Sequence, residues 1–191
     1  ETLRATTVDS ERPTKHPVKA YMEAHIEQGP VLEDSGNTIG AVTGIQGSRR
    51  FQVNITGESA HAGTAPLKSR RDALQAALRC LTDLNTVMAD PEDILRYTVG
   101  KLIIAPNSPN AVASGAEFSI DLRHPDEAVL ERLSKEIGEA CTKAAPPCDI
   151  EVMQTFRKTP SDFTPEIVNA VESSAQARGF PAIQLPSGAF H

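Results

Sequence analysis

Two histidines of this 191-residue chain each follow a predicted strand and stand beside a glycine-containing turn. His25 comes after the apolar stretch 18–23 and shortly before Gly29-Pro30, while His191 follows the predicted strand 182–185. If both strands lie in one sheet, the imidazoles can converge on one divalent cation, because neutral imidazole is a common ligand of zinc, manganese and cobalt. A lone histidine at a strand end is more often packed or solvated, and zinc hydrolysis needs at least three protein ligands. The two histidines therefore predict part of a metal site.

A third histidine, His61, lies in the small-residue loop 59–64 (SAHAGT). Small neighbours permit close approach, so His61 can reach a substrate carbonyl and stabilise the oxyanion that develops there. The alternative is a histidine on a surface loop. Ser59 is not expected to be a hydrolase nucleophile, because the segment lacks GxSxG.

Amide and guanidinium side chains form the remaining candidate set. Arg123 ends a predicted strand and Asn110 ends the loop before it, and we expect the two side chains to meet at one edge of a sheet. A guanidinium fork with an amide suits a carboxylate; the alternative pairs Arg123 with a surface acid, Asp121 or Asp126. Gln28 can bind a substrate amide, or it can bond its own backbone within the turn.

Composition directs the search toward small molecules. The chain is 39% hydrophobic and 23% charged, as in globular proteins, and no apolar run approaches the ~20 residues that cross a bilayer. A net charge of −6 without a basic stripe argues against nucleic acid, and we expect no membrane partner and a cytoplasmic protein. The three cysteines lack CxxC spacing and predict buried or incidental thiols.

The middle of the chain has the pattern of a split βαβ unit. Strands are predicted at 49–56, 95–104, 116–123 and 149–156. Ser69 and Asp72 resemble a capping box, and one structural ion pair is expected from Arg70 and Arg71. The two helices carry apolar faces at helical spacing: Leu74, Ala77, Leu78, Leu81, Leu84 and Met88, then Leu130, Leu133, Ile137, Cys141 and Ala144. This order predicts an α+β (α/β overall), ferredoxin-like βαββαβ domain.

The flanking regions predict smaller elements. A helical turn at 30–34 ends at Gly36, and a strand follows at 38–45. After a linker at 158–162, Thr164 is a predicted N-cap with Pro165 at the first helical position, and Gly179 ends that helix before the strand 182–185. Hinges are expected near 44–47 and 159–162.

Three separated motifs resemble one family. They are His25-Ile26-Glu27-Gln28-Gly29-Pro30, the segment 57–66 (GESAHAGTAP) with 70–74 (RRDAL), and 186–191 (PSGAFH). The wording is similar to the metal-dependent amidohydrolases that cleave N-carbamoyl-L-amino acids, allantoate and β-ureidopropionate, a branch of the aminoacylase and carboxypeptidase-like dimetal hydrolases. The motifs fall in the family's order along nearly the whole chain.

The resemblance implies a domain organisation and a set of roles. Residues 47–157, called the lid below, would be a dimerisation domain inserted between pieces 1–46 and 158–191 of an incomplete catalytic domain. His25 and His191 would be metal ligands, and Gln28, Asn110 and Arg123 would bind substrate. His61 would act in the active site of the partner of a homodimer.

The resemblance also implies that the chain is a fragment. The complete enzyme would hold two divalent metal ions, and the general base and remaining ligands would come from a segment before Glu1. The family has glycine where this chain has Phe190, and it continues beyond His191 with an aspartate. We expect this polypeptide alone to be inactive.

Two rival functions remain open at this stage. One is a dimetal peptidase or deacylase of the same architecture, although that branch does not carry the His-Ile-Glu-Gln-Gly wording. The other is a dimerisation and substrate-binding module without catalysis of its own.

Overall fold

The computed structural model describes residues 18–188, which form two sheets and four α-helices. In chain order the elements are α1 (Val31–Ser35), β1 (Ile39–Ile45), β2 (Gly47–Thr56), α2 (Ala73–Val87), β3 (Arg96–Ala105), β4 (Gly115–His124), α3 (Glu127–Ala144), β5 (Asp149–Lys158), β6 (Ser161–Asp162), α4 (Pro165–Gln176) and β7 (Ala182–Ser187). The mixture of helices and strands agrees with the predicted fold class. None of the described helices has the length and apolarity needed to cross a membrane.

The lid is a four-stranded antiparallel sheet with two helices. The strand order is β3-β4-β2-β5, so the first strand along the chain lies between the third and the fourth. This is the order of the predicted split βαβ unit. The strands β3 and β5 are the edges of the sheet.

One face of the lid sheet carries the core. The inward residues of β2 and β4 alternate with polar ones, and they pack against the apolar faces of α2 and α3. The face predicted for α3 is confirmed, because all five of its residues are buried. The face predicted for α2 is partly wrong, because Leu78 is 46% exposed while Ala73, Ala76 and Cys80 are buried. Cys80, Cys141 and Cys148 are buried free thiols, as expected. The opposite face of the sheet therefore presents the polar residues of these strands.

The predicted capping box at Ser69 is wrong. Ser69 ends a short 3-10 helix (Leu67–Ser69), and its hydroxyl donates to the carbonyl of Pro66 over 3.0 Å. Asp72 is itself the N-cap, because its carboxylate accepts the N–H groups of Leu74 and Gln75. The helix α2 consequently begins only at Ala73.

The flanking segments form a second, three-stranded sheet in the order β6-β1-β7. The strands β1 and β7 are parallel, and β6 pairs antiparallel with β1. Segments on both sides of the lid in sequence thus share one sheet. Gly47 marks the passage into the lid, since a Cβ there would lie 2.5 Å from Leu130 Cδ1 and 2.7 Å from Pro160 Cδ. The close packing explains why glycine stands at this predicted hinge.

A buried arginine ties the lid together near this passage. Arg49 is fully buried, and its Nη1 donates to the carbonyls of Ser48 (3.0 Å) and Lys158 (2.8 Å). Its Nη2 donates to Glu127 Oε1 (2.5 Å) and Glu131 Oε1 (2.9 Å) at the start of α3. The guanidinium therefore joins β2, β5 and α3, and its hydrogen bond lowers the pKa of Glu131.

Candidate active site

Residues 18–28 do not form the strand predicted before His25. An extended segment becomes a strand only when a neighbour supplies ladder hydrogen bonds, and the described strands pair with each other instead. His25 is exposed, with its Nδ1 2.6 Å from the carbonyl oxygen of Ile26. Because a carbonyl only accepts, Nδ1 carries the proton, and a neutral ring then has its lone pair on Nε2. A neutral imidazole of this tautomer can bind a metal ion through Nε2.

The turn after His25 is held by Glu27. Its two carboxylate oxygens accept the N–H groups of Val31 (2.8 Å) and Leu32 (2.9 Å) at the start of α1. An anion at a helix start satisfies N–H groups that have no partner within the helix. Gln28 follows with a left-handed backbone (φ 59°) and an exposed side chain. This role of Glu27 could not be predicted from the sequence, because the glutamate lies before a turn and gives no signal of capping.

Arg123 lies at the junction of the lid with the second sheet. Its Nε and Nη2 donate to the two carboxylate oxygens of Asp121 over 2.8 and 3.1 Å. Its Nη1 donates to the carbonyl of Gly188 over 2.7 Å, just after β7 ends. The ion pair with Asp121 is the alternative drawn from the residues alone. It leaves Arg123 on the polar face of the lid sheet, beside the segment that leads to residue 189.

The Asp121 carboxylate joins two arginines. Arg50 Nε donates to Asp121 Oδ2 over 3.0 Å, and the Arg50 guanidinium carbon lies 5.1 Å from the centre of the Phe156 ring. Burial raises the pKa of Asp121, but hydrogen bonds and charge from Arg123 and Arg50 outweigh it and hold this pKa below its usual value. Asp121 therefore stays ionised at neutral pH and fixes the direction of both arginines.

His61 and Asn110 meet at the other end of the lid. His61 forms an antiparallel bridge with Ala111, and the N–H of Ala62 donates to the carbonyl of Asn110 over 2.9 Å. The Nδ1 of His61 accepts the N–H of Gly63 over 3.1 Å, and the Oδ1 of Asn110 accepts the hydroxyl of Ser108 over 2.7 Å. Both His61 and Asn110 are exposed.

The prediction that Asn110 and Arg123 meet at one edge is wrong within a single chain. Asn110 precedes Gly115, where β4 begins, whereas Arg123 is near the end of the same strand. A rise of about 3.4 Å per residue separates positions 115 and 123 by roughly 27 Å. The register agrees, because Gly115 pairs with Thr56 while Arg123 pairs with Ser48. The structure therefore brings Asn110 to His61 and leaves Arg123 at the far end.

The other candidate site residues that the structure describes line one large cleft. It has a volume of about 2090 Å³ and lies between the segment around His25, the polar face of the lid sheet and the end of β7. His25, Gln28, Arg123, Asp121 and Gly188 line it, and His61 and Asn110 do not. His191 and Phe190 lie outside the described residues. Among residues 18–188, no three His, Cys, Asp or Glu side chains are grouped to hold a metal ion.

Similarity to known proteins covers the lid and also extends into the segments on either side of it. Residues 43–149, more than half of the chain, match the peptidase dimerisation domain of the M20 type. The chain belongs to this family. The M20 match covers most of the lid, including α2 and α3.

Longer relatives extend the similarity beyond the dimerisation domain. The chain is 36% identical to the N-carbamoyl-L-amino-acid amidohydrolase of Paenarthrobacter aurescens over 91% of its own length and 43% of that protein. It is also 36% identical to the allantoate amidohydrolase of Escherichia coli strain K12, again over 91% of this chain and 43% of the relative. A hydantoinase/carbamoylase family amidase from Burkholderia ambifaria superposes with a TM-score of 0.84 and 36% identity, over 92% of this chain and 44% of that structure. The chain thus spans less than half the length of these relatives.

Proposed function

We propose that the chain is the lid, with the adjoining catalytic-domain segments, of a metal-dependent amidohydrolase. The reaction would cleave the carbamoyl C–N bond of N-carbamoyl-L-amino acids or of related ureido acids such as allantoate. The observation that carries the proposal is the gathering of Arg123, Gln28 and His25 on one cleft. The similarity to relatives named for both substrates supports it, without choosing between them.

Arg123 is proposed to bind the substrate carboxylate. Asp121 holds its guanidinium by two parallel hydrogen bonds, so little side-chain entropy remains to be lost when an anion binds. Gln28, on the rim of the same cleft, would donate its amide to the carbamoyl oxygen or accept from the carbamoyl nitrogen. These two contacts would hold the substrate at both ends and so fix the position of its carbamoyl carbon in the cleft.

The proposal includes two divalent metal ions in the complete enzyme: zinc, manganese or cobalt. The Nε2 lone pair of His25 fits a ligand role, and His191 is proposed as the second ligand from this chain. The described residues do not by themselves complete such a site. The steps assigned here therefore involve only protein side chains.

The second end of the lid is proposed to act in a partner's active site. His61 would stabilise the oxyanion formed when water attacks the carbamoyl carbon, and Asn110 would contact the same substrate. The carbamoyl C–N bond then breaks, and the products are the free amino acid, carbon dioxide and ammonia. Because His61 and Asn110 lie outside the cleft of their own chain, the proposal requires a homodimer.

The lid offers an edge for this dimer. The edge strand β3 carries Leu102 and Ile103, which are 46% and 50% exposed. Exposed apolar residues on an open edge favour pairing with a second copy. Since β3 leads directly into the loop that contains Asn110, pairing at this edge would bring that loop against the partner.

The test is ammonia release by the complete gene product from N-carbamoyl amino acids, allantoate and a dipeptide control. The proposal expects release from a ureido substrate, its loss with a chelator and its return with added zinc, manganese or cobalt. Dipeptide cleavage without ureido turnover would favour the peptidase or deacylase alternative. Substrate binding without any turnover would favour a non-catalytic binding module.

A further inference from the structure

Arg70 forms hydrogen bonds with the loop that carries His61. Its Nη2 donates to the carbonyls of Ala62 (2.7 Å) and Ala65 (2.9 Å), and its Nε donates to Ala65 (3.0 Å). Its neighbour Arg71 instead forms the expected ion pair, 2.6 Å from the carboxylate of Asp149. The partners of Arg70 among the described residues are therefore loop carbonyls, and its half-buried guanidinium crosslinks the loop.

The Ala62 carbonyl and the Gly63 N–H belong to one peptide unit. Because this unit is planar and trans, the direction of its carbonyl fixes the opposite direction of its N–H. Arg70 holds the carbonyl, and the N–H donates to Nδ1 of His61 over 3.1 Å. The arginine thus determines, through a single rigid group, where the donor to the imidazole points.

This contact decides which ring nitrogen of His61 carries the proton. A neutral imidazole has one N–H, and Nδ1 accepts here, so the proton is on Nε2. The ring also packs closely on Gly63, since a Cβ there would lie 3.3 Å from Cε1 of His61 and would press on the ring. The loop therefore presents an exposed imidazole as a hydrogen-bond donor.

We propose that Arg70 is a positioning residue for His61: by holding the Ala62–Gly63 peptide, it keeps Nδ1 occupied and leaves the Nε2 proton available to the substrate. The catalytic part of this inference rests on the proposed function, because an Nε2–H donor is what oxyanion stabilisation requires. Sequence reasoning missed Arg70, since an arginine before a helix gives no sign of such a role.

The experiment compares Arg70→Ala with Arg71→Ala, a matched neighbour whose partner is a carboxylate. In the ¹⁵N-labelled 191-residue chain, NMR reads the imidazole nitrogens of His61, assigned with His61→Gln, and the exchange of the Gly63 amide proton. We expect Arg70→Ala to speed that exchange by at least about tenfold and to mix the two His61 tautomers. Arg71→Ala should leave both readouts unchanged.

Kinetics of the complete gene product supply the second readout. Arg70→Ala should lower kcat by about 10- to 100-fold with little change in KM, because His61 is misplaced while carboxylate binding is intact. Gly63→Ala keeps Arg70 but crowds the ring, and it should lower kcat in the same way. If Arg70→Ala fails to fold, Arg70→Lys keeps the charge without the fork and is judged by the same readouts.

The outcomes are separable. Unchanged Gly63 exchange and unchanged kcat in Arg70→Ala would overturn the inference, as would equal effects of Arg71→Ala. If the wild-type protein hydrolyses no ureido acid yet Arg70→Ala loses Gly63 protection, the proposed function fails and the positioning of His61 by Arg70 stands.

Discussion

The two ends of the lid sheet hold their polar side chains in different ways. At the end near the second sheet, Arg123 is fixed by the carboxylate of Asp121 and the carbonyl of Gly188, and Arg49 is fully buried nearby. At the far end, His61 and Asn110 stand on exposed loops that pair through backbone hydrogen bonds. One end holds the guanidinium of Arg123 in a fixed direction, and the other presents the imidazole of His61 and the amide of Asn110 at the surface.

This difference is the basis of the proposal that one chain contributes residues to two different sites. A separation of roughly 27 Å along β4 is too long for any side chain to span. Arg123 shares a cleft with His25 and Gln28 that His61 does not line, which supports the proposal that His61 contacts substrate bound to another molecule. In this account a dimer completes both sites at once.

The largest expected effects come from removing the key residue at each end. In the complete gene product, Arg123→Ala and His61→Ala should each lower kcat/KM by about 100- to 1000-fold. Arg123→Ala should act mainly by raising KM, because it removes binding of a substrate group that does not react. His61→Ala should act mainly by lowering kcat. His124→Gln is the control, and steady-state kinetics showing the same split for both variants would contradict the comparison.

A large stability effect is expected at the Arg49 end. Arg49→Met should lower the free energy of unfolding of the 191-residue chain by about 3 kcal/mol, because it removes the fully buried guanidinium that donates to the carbonyls of Ser48 and Lys158. Arg157→Met is the matched control: it contacts the same two glutamates, but its side chain is 54% exposed, so the loss should stay below about 1 kcal/mol. Urea denaturation measures both, and equal losses would argue against the importance of burial.

A smaller effect is expected at the open edge of the lid. Ile103→Lys should raise the dimer dissociation constant at least about tenfold, because two added charges would face each other across the paired edge. Gln154→Lys, on the opposite edge strand β5, should leave it unchanged. Light scattering over a concentration series measures both dissociation constants. If only Gln154→Lys raises the constant, the dimer forms through β5 and not through β3.

The smallest effect at neutral pH concerns Tyr97, which pairs with Leu122 near the Arg123 end. Burial raises the pKa of Tyr97 to about 12, from 10.0. The unfolded chain therefore loses this proton first as pH rises, and stability should fall between pH 10 and about 12 while being unaffected below 10. In a Tyr21→Phe background, the tyrosinate absorbance should appear only near pH 12. Ionisation of Tyr97 near pH 10 would mean that water reaches its hydroxyl in the folded chain.

Most of the fold could be predicted from periodicity. The alternation of Phe51, Val53 and Ile55 and the spacing of Leu130, Leu133 and Ile137 each report one buried face, so they survive any error in neighbouring segments. The strand predicted before His25 is not formed, because periodicity alone does not show whether an apolar stretch has a partner strand.

The candidate site was predicted less completely. Each residue type suggested its chemistry, but the pairing of Asn110 with Arg123 was wrong because adjacency in the sheet was considered without the length of β4. The pairing of the His61 loop with residues Asn110 and Ala111 depends on two loops that no periodicity connects. Arg70 and Asp121 act by directing other side chains, and such roles become visible only when distances are known.

The most direct test mixes two impaired variants of the complete gene product, His61→Ala and Arg123→Ala, at a substrate concentration well below the wild-type KM, where both variants are nearly inactive. If His61 acts in the partner's site, random exchange of subunits yields about half mixed dimers, each with one intact site, and about a quarter of the wild-type activity returns. If each chain used its own His61 and Arg123, no site in any mixed dimer would be intact. Recovery to about a quarter is the result this account predicts, and no recovery after verified subunit exchange would contradict it.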